Sequence, residues 1–205
     1  MGNLNILDGG GGPQQLATLP DGDPASSMIM IRTSEHRKAS YRYVGTLTPV
    51  AAPTDAIMIK GSGSKTARIK LISLGGIATT AGSMPVTLIR RSTQFTTQGT
   101  AVFTTVTPGE FDPPNDPAAT CVVATIGTAN LTSVGAPNGS YGQRRLWLPL
   151  VTQQPFPLIW EFATRQDKPL ILRGVSDFLF VNFGAAAVPS GGAIDFEIQI
   201  EEDAS

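Results

Sequence analysis

From Ile194 to Glu201 apolar and polar residues alternate without a break. Successive side chains of a strand point to opposite faces, so Ile194, Phe196, Ile198 and Ile200 share one face. Asp195, Glu197, Gln199 and Glu201 share the other. On a helix the same four hydrophobes would scatter around the axis. The pattern therefore predicts a strand with one dry and one wet side. Similar short runs recur at 41–47, 55–60, 67–72, 85–91, 101–106, 120–125, 145–150, 158–162 and 169–173. The segment 177–183 is apolar on both faces: Phe178 and Phe180 point one way, Leu179, Val181 and Phe183 the other. Such a strand belongs inside the domain or at a subunit contact.

Short strands at close spacing, with no helix longer than a turn or two, predict an all-β fold, an antiparallel β-sandwich or barrel. Gly61, Gly63 and two serines separate 55–60 from 67–72, which reads as a hairpin. Within the second run Arg68 and Lys70 are expected on one face, Ile69 and Leu71 on the other. Asp116 before Pro117 suits the cap of a single helical turn. The stretch 127–142 reads as loop, with a turn at Asn138-Gly139.

The N-terminal residues differ. Four consecutive glycines, Gly9 to Gly12, are flexible, and Pro20 to Pro24 is turn chemistry. Residues 28–31 form a short apolar run that suits a first strand. Leu4, Ile6, Leu7, Leu16 and Leu19 are more apolar than a solvated linker requires. They suit an arm that docks on a neighbour; a disordered tail is the plainer alternative. The expected organisation is an extended N-terminal arm with a first short strand over 1–40, then a sandwich domain over 41–205. Residues 92–143 are expected to make a long excursion over one edge.

Composition narrows the function classes. Charged residues are 15% of the 205, well under the usual quarter, so Thr, Ser, Gly, Gln and Asn must cover much of the surface. That suits a surface partly buried against partners. The net charge of −1 gives nothing to draw the chain to nucleic acid or an anionic membrane. A single cysteine, Cys121, forbids an intrachain disulfide. No run approaches the roughly 20 apolar residues of a membrane helix, and no export signal is visible at Met1. Synthesis in a cytoplasm is expected.

Candidate chemistry is sparse. Residues 61–66 imitate a phosphate-binding loop but lack its spacing and the helix that would follow. His36 sits in a polar segment with no second histidine. Asp21, Asp23, Asp112 and Asp116 occupy Pro-rich turns without a calcium-loop pattern. Trp147 and Trp160 have apolar neighbours and are expected in the core. Arg90-Arg91 and Arg144-Arg145 are expected on solvated faces or against an acidic partner. Asn130 and Asn138 match the glycosylation pattern by chance. No catalytic, metal or cofactor residues are assigned. The residues expected at an oligomer or partner interface are Leu4, Ile6, Leu7, Leu16 and Leu19 in the arm, with Phe178, Phe180 and Phe183 in the two-faced strand.

Several segments together resemble a recurrent family of tailed-bacteriophage virion proteins. They are 78–82, 85–93, 115–120, 160–162, 170–174 and the 194–200 strand, within a span of roughly 43–202. The resemblance implies a jelly-roll-like sandwich in the particle, working as a symmetric head decoration (cement) protein. A homotrimer bound to the major capsid protein or neighbouring virion subunits would follow, with no enzymatic activity. A receptor- or carbohydrate-binding jelly roll of a fibre or tail is the alternative.

Overall fold

The computed structural model describes residues 5–7, 13–15, 38–113, 116–163 and 168–204. The chain divides into two compact units, Met1–Arg37 and Lys38–Ser205. In the first, β1 (Asn5–Leu7) and β2 (Pro13–Gln15) pair antiparallel, Ile6 opposite Gln14. Leu4, Leu16 and Leu19, the 28–31 run and His36 lie outside the described residues.

The second unit is an antiparallel two-sheet body. Its strands are β3 (Ala39–Leu47), β4 (Asp55–Lys60), β5 (Lys65–Ile77), β6 (Gly82–Arg91), β7 (Phe103–Thr105) and β8 (Gly109–Glu110). They continue as β9 (Val122–Ile126), β10 (Pro137–Leu148), β11 (Leu158–Glu161), β12 (Leu170–Arg173), β13 (Phe178–Asn182) and β14 (Ala193–Ala204). One sheet has the order β11-β5-β14-β3-β8, with β12 also on β5; the other is β10-β6-β13-β4-β9-β7. Counting only the eight main strands in chain order, the sheets read 1-8-3-6 and 2-7-4-5. That is the jelly roll: two interlocked Greek keys in which successive strands mostly change sheet.

The inner faces make one core. Tyr43, Ile57, Leu74, Leu88, Leu146 and Ile198 are among its fully buried members. The alternation in β14 comes out as read, with Ile194, Phe196, Ile198 and Ile200 buried and Asp195, Glu197, Gln199 and Glu201 on the wet side. β13 is also two-faced as read. Leu179, Val181 and Phe183 join this main core, and Phe178 and Phe180 face the other way.

Four local expectations change. First, 55–60 and 65–77 are not a hairpin: β4 pairs with β13 and β9, β5 with β14, β11 and β12. The glycine-rich link crosses between sheets. Second, Ile69 and Leu71 do not share a face. In the ladder Ile200 faces Ile69 and Gln199 faces Leu71, so Lys70 is an extra residue. This bulge shifts the side-chain phase, and the inward series runs Ala67, Ile69, then Ile72, Leu74. Third, β10 begins at Pro137 inside the expected loop, carried by register shifts at 137–139 and 140–142. Fourth, no helical turn follows Asp116. Its carboxylate accepts instead from the backbone N–H of Ser40 and Asp112, both at 3.3 Å.

The 92–143 excursion thickens the body. β9 and β7 extend one sheet beyond β4, and β8 extends the other beyond β3. Part of it roofs the outer face of β4, β13 and β9. There Phe95, Ala101, Phe103 and Leu131 pack with Met58, Phe178, Phe180 and Ile126 in a second core. The Tyr43 hydroxyl donates to Cys121 O at 2.8 Å and the Tyr41 hydroxyl to Pro117 O, which straps the returning chain to β3.

Candidate interaction surface

On the outer face of the β14 sheet, polar residues from three strands stand in rows. The acids of β14 meet cations from both neighbours. Glu197 contacts Arg42 at 3.1 Å, Glu201 contacts Lys70 at 3.1 Å, and Asp203 contacts Arg68 at 2.7 Å. The twofold hydrogen bond from Arg68 holds the Asp203 carboxyl below the usual carboxylate range. These pairs cancel one another, so the lower part of the face has little charge to offer a partner.

The upper part of this face is different. Register places Val44, Glu197 and Ser73 in one row and Thr46, Asp195 and Gly75 in the next. Gly75 puts no side chain on the surface: a Cβ built there meets nothing within 4 Å. Gly76 has φ +144° and backs onto the Ala193 carbonyl, so only glycine fits. The two glycines floor a groove of about 290 Å³, walled by Val44, Asp195, Glu197, Pro155 and Pro157. Phe156, between the two prolines, is 74% exposed. Val44 is 55% exposed. Asp195 accepts from Thr46 Oγ1 at 2.6 Å and has no cationic partner among the described residues.

On the opposite sheet the excursion leaves the β10–β6 corner uncovered. Leu146 and Leu148 point into the core, so Trp147 and Arg145 point out. Trp147 is 49% exposed, contrary to the core placement read from its apolar neighbours. Those neighbours alternate with it across the sheet instead of surrounding it. Arg145 donates to Ser83 Oγ at 3.2 Å and meets no acid among the described residues. Trp160, on β11, is buried as expected, with Arg144 stacked 5.5 Å over its ring and donating to Ile159 O. Leu150, Val151 and Ile159 add further exposed apolar surface along this edge.

Of the other arginine pair, Arg90 is partly exposed and Arg91 is buried. Arg90 chelates Asp177 through Nε, at 2.7 Å, and Nη2. Arg91 is 4% exposed because the excursion covers the face it points to. Its Nη2 donates to Asp55 Oδ1 at 3.3 Å, and its Nε lies 3.2 Å from Asp55 Oδ2, a charge contact without hydrogen-bond alignment. Arg91 also donates to Gly135 O and lies 5.7 Å over the Phe180 ring. Asn182 Nδ2 donates to Asp55 at 2.6 Å. This buried pair pins the excursion to the sheet, and no run of apolar residues announces it.

The expected interface phenylalanines are all dry within one chain: Phe178 and Phe180 under the excursion, Phe183 in the main core. They need no partner to cover them. Of the arm residues, Ile6 and Leu7 lie in β1.

Catalytic geometry is sparse. Among the described residues no three His, Cys, Asp or Glu side chains gather as a metal site. Cys121 is buried, its Sγ donating to Lys60 O at 2.9 Å, and burial pushes the thiol up, away from the reactive thiolate. Glu202 is buried but saturated. It accepts from the Thr120 N–H at 2.9 Å, from the Cys121 N–H and from Lys65 at 3.2 Å. A cleft of about 440 Å³ beside it is lined by Ser62, Lys65, Arg68, Arg173 and Asp203, most of them already paired. Asn130 is committed to Thr54 N–H and Ala52 O, at 2.8 and 2.9 Å, so its amide serves the fold. No helix of the described residues is long and apolar enough to cross a membrane. Comparisons with protein-family models, curated proteins and solved structures find no match to this chain.

Proposed function

We propose that the protein is a non-enzymatic structural subunit of a phage virion. In this reading it decorates and stabilises the capsid as a symmetric oligomer, a trimer, with the N-terminal segment as the docking arm. It is assembled in the host cytoplasm and bound to the major capsid protein or neighbouring subunits. One observation carries the reading. Among the described residues the jelly roll fills two cores, yet it leaves large apolar side chains exposed at the β10–β11 edge and beside the glycine groove. A surface with that character is recognition surface. The fold alone does not choose, because jelly rolls serve both shells and lectins. The family resemblance of the 43–202 segments tips the choice toward the shell.

The test is a binding experiment with heads of the cognate phage lacking this protein. The full chain is expected to bind at fixed copy number per head and to raise the temperature at which the heads release their DNA. A chain lacking residues 1–26 is expected to keep its oligomeric mass and its circular dichroism but to lose head binding. Normal decoration by the truncated chain removes the arm from the proposal. Absence of full-length binding to any phage shell removes the proposal itself.

Trp147 favours a second reading, a carbohydrate-binding module. An indole half-exposed on the outer face of a sheet, beside Ser83 and Arg145, offers a stacking face with a polar rim. Glycan-array binding that disappears in Trp147→Ala, with an unchanged fold, would establish it. Silence on the array rejects it.

A further inference from the structure

We infer that the glycine groove on one sheet receives the Trp147 corner of a sister copy. This rests on the oligomer proposed above and names its contact. The two surfaces lie on opposite outer faces of the sandwich, so the contact is head-to-tail. Repeated with closing rotation, such contacts make a ring.

Three features match. The groove offers an uncompensated acid, Asp195, and the corner offers an exposed cation without an acid, Arg145. The groove floor lacks side chains at Gly75 and Gly76, and the corner projects a large flat one, Trp147. The spacing also suits. Arg145 and Trp147 stand about 7 Å apart on one face of β10, and Asp195 lies on the strand next to Gly75, about 5 Å away. Trp147 over the glycines therefore brings Arg145 within reach of Asp195.

The area is sufficient for an interface core. Aromatic side chains bury 150–250 Å² each when fully covered. The exposed fractions of Trp147 and Phe156, at 49% and 74%, then offer roughly 180–310 Å² between them. Val44, Leu150 and Val151 enlarge it toward the roughly 1,600 Å² that the two sides of a standard interface bury together. A second copy fits better than an acidic partner, because the groove is itself acid-rimmed. It fits better than a basic partner, because the corner supplies the complementary cation from the same chain.

The experiment uses the full chain and light scattering over a concentration series. Asp195→Arg and Arg145→Asp are each expected to weaken association roughly 30-fold or more, toward the 21.5 kDa protomer. The double charge swap is expected to restore the oligomer. Gly75→Gln, at a position where a Cβ meets nothing within 4 Å, puts a side chain into the groove and is expected to weaken association as well. Cysteine trapping gives the geometry, since the native Cys121 is buried. Gly75→Cys mixed with Trp147→Cys should form a disulfide-linked heterodimer, and neither variant alone should cross-link. If the wild type is oligomeric but all three single variants leave it intact, this contact is wrong and the oligomer stands. If Gly75→Cys links to itself, the contact is not head-to-tail. A wild type that is monomeric at every concentration overturns both. Near-ultraviolet dichroism of each variant separates lost association from lost fold, and the charge-swap rescue cannot arise from misfolding.

Discussion

Replacing Arg91 by Met tests whether the buried ion pair holds the excursion in place. The side chain is 5% exposed and that of Asp55 is 0% exposed. Arg91→Met leaves the Asp55 carboxylate in the interior with the Asn182 amide as its remaining donor, at 2.6 Å. Removing one partner of a buried pair costs about 3–5 kcal/mol, because the survivor is an uncompensated charge. For a domain of this size that lowers Tm by roughly 6–20 °C. Asp55→Asn strands the Arg91 cation against Phe180 and Gly135 O and should cost about as much. The double variant Asp55→Asn/Arg91→Met buries no charge. It should be no less stable than either single variant, giving a coupling of about 3 kcal/mol or more. Urea unfolding followed by tryptophan fluorescence gives the values. Hydrogen exchange should show faster opening around 93–101 and 131–135 in both singles, since these segments sit on the pinned face. A loss below about 1 kcal/mol in Arg91→Met, or additive losses in the double variant, refutes the pinning role.

Phe180→Ala should cost about 3–5 kcal/mol by opening the second core, yet leave oligomer mass unchanged at temperatures where it stays folded. A shift in mass under those conditions would return Phe180 to the interface. Cys121 should resist a thiol-specific disulfide reagent in the native state and react fully in urea, because its thiol is buried and pushed up; rapid native labelling contradicts the structure. Arg68 holds the folded-state Asp203 carboxyl below its unfolded value, so its contribution is present above about pH 4 and fades as pH falls through the folded value. Asp203→Asn should therefore lower stability at pH 7 by about 1 kcal/mol, solvent screening keeping it small, and flatten the acid limb of stability against pH; an unchanged limb refutes the linkage.

The sequence by itself determined most of the strands and, where the ladder is regular, their faces. Side-chain alternation is a local property of extended chain, so β14 and the two-faced β13 were legible from their residues alone. Burial of Phe178 and Phe180 followed from that pattern, but not what buries them. Strand partners are set by contacts distant in the chain, and only the tertiary structure decided these. The Gly61–Lys65 link suits a hairpin and a sheet crossing equally well; β4 and β5 part because β13 and β14 compete for their edges. The bulge at Lys70 exists because β5 must match β14, and nothing in the β5 residues marks it. Arg91 looks solvated in sequence, since an arginine carries no sign that a chain segment some forty residues onward will cover it. Trp147 looks buried for the converse reason. Its leucine neighbours fill the core on the other side of the pleat, and the excursion stops short of its own side. The groove has the same origin: Gly75 and Gly76 lie past the expected 67–72 run, and only register sets them beside Val44 and Asp195. Between bulges, periodicity fixes which way a side chain points; only the folded chain fixes where a bulge falls and what stands opposite.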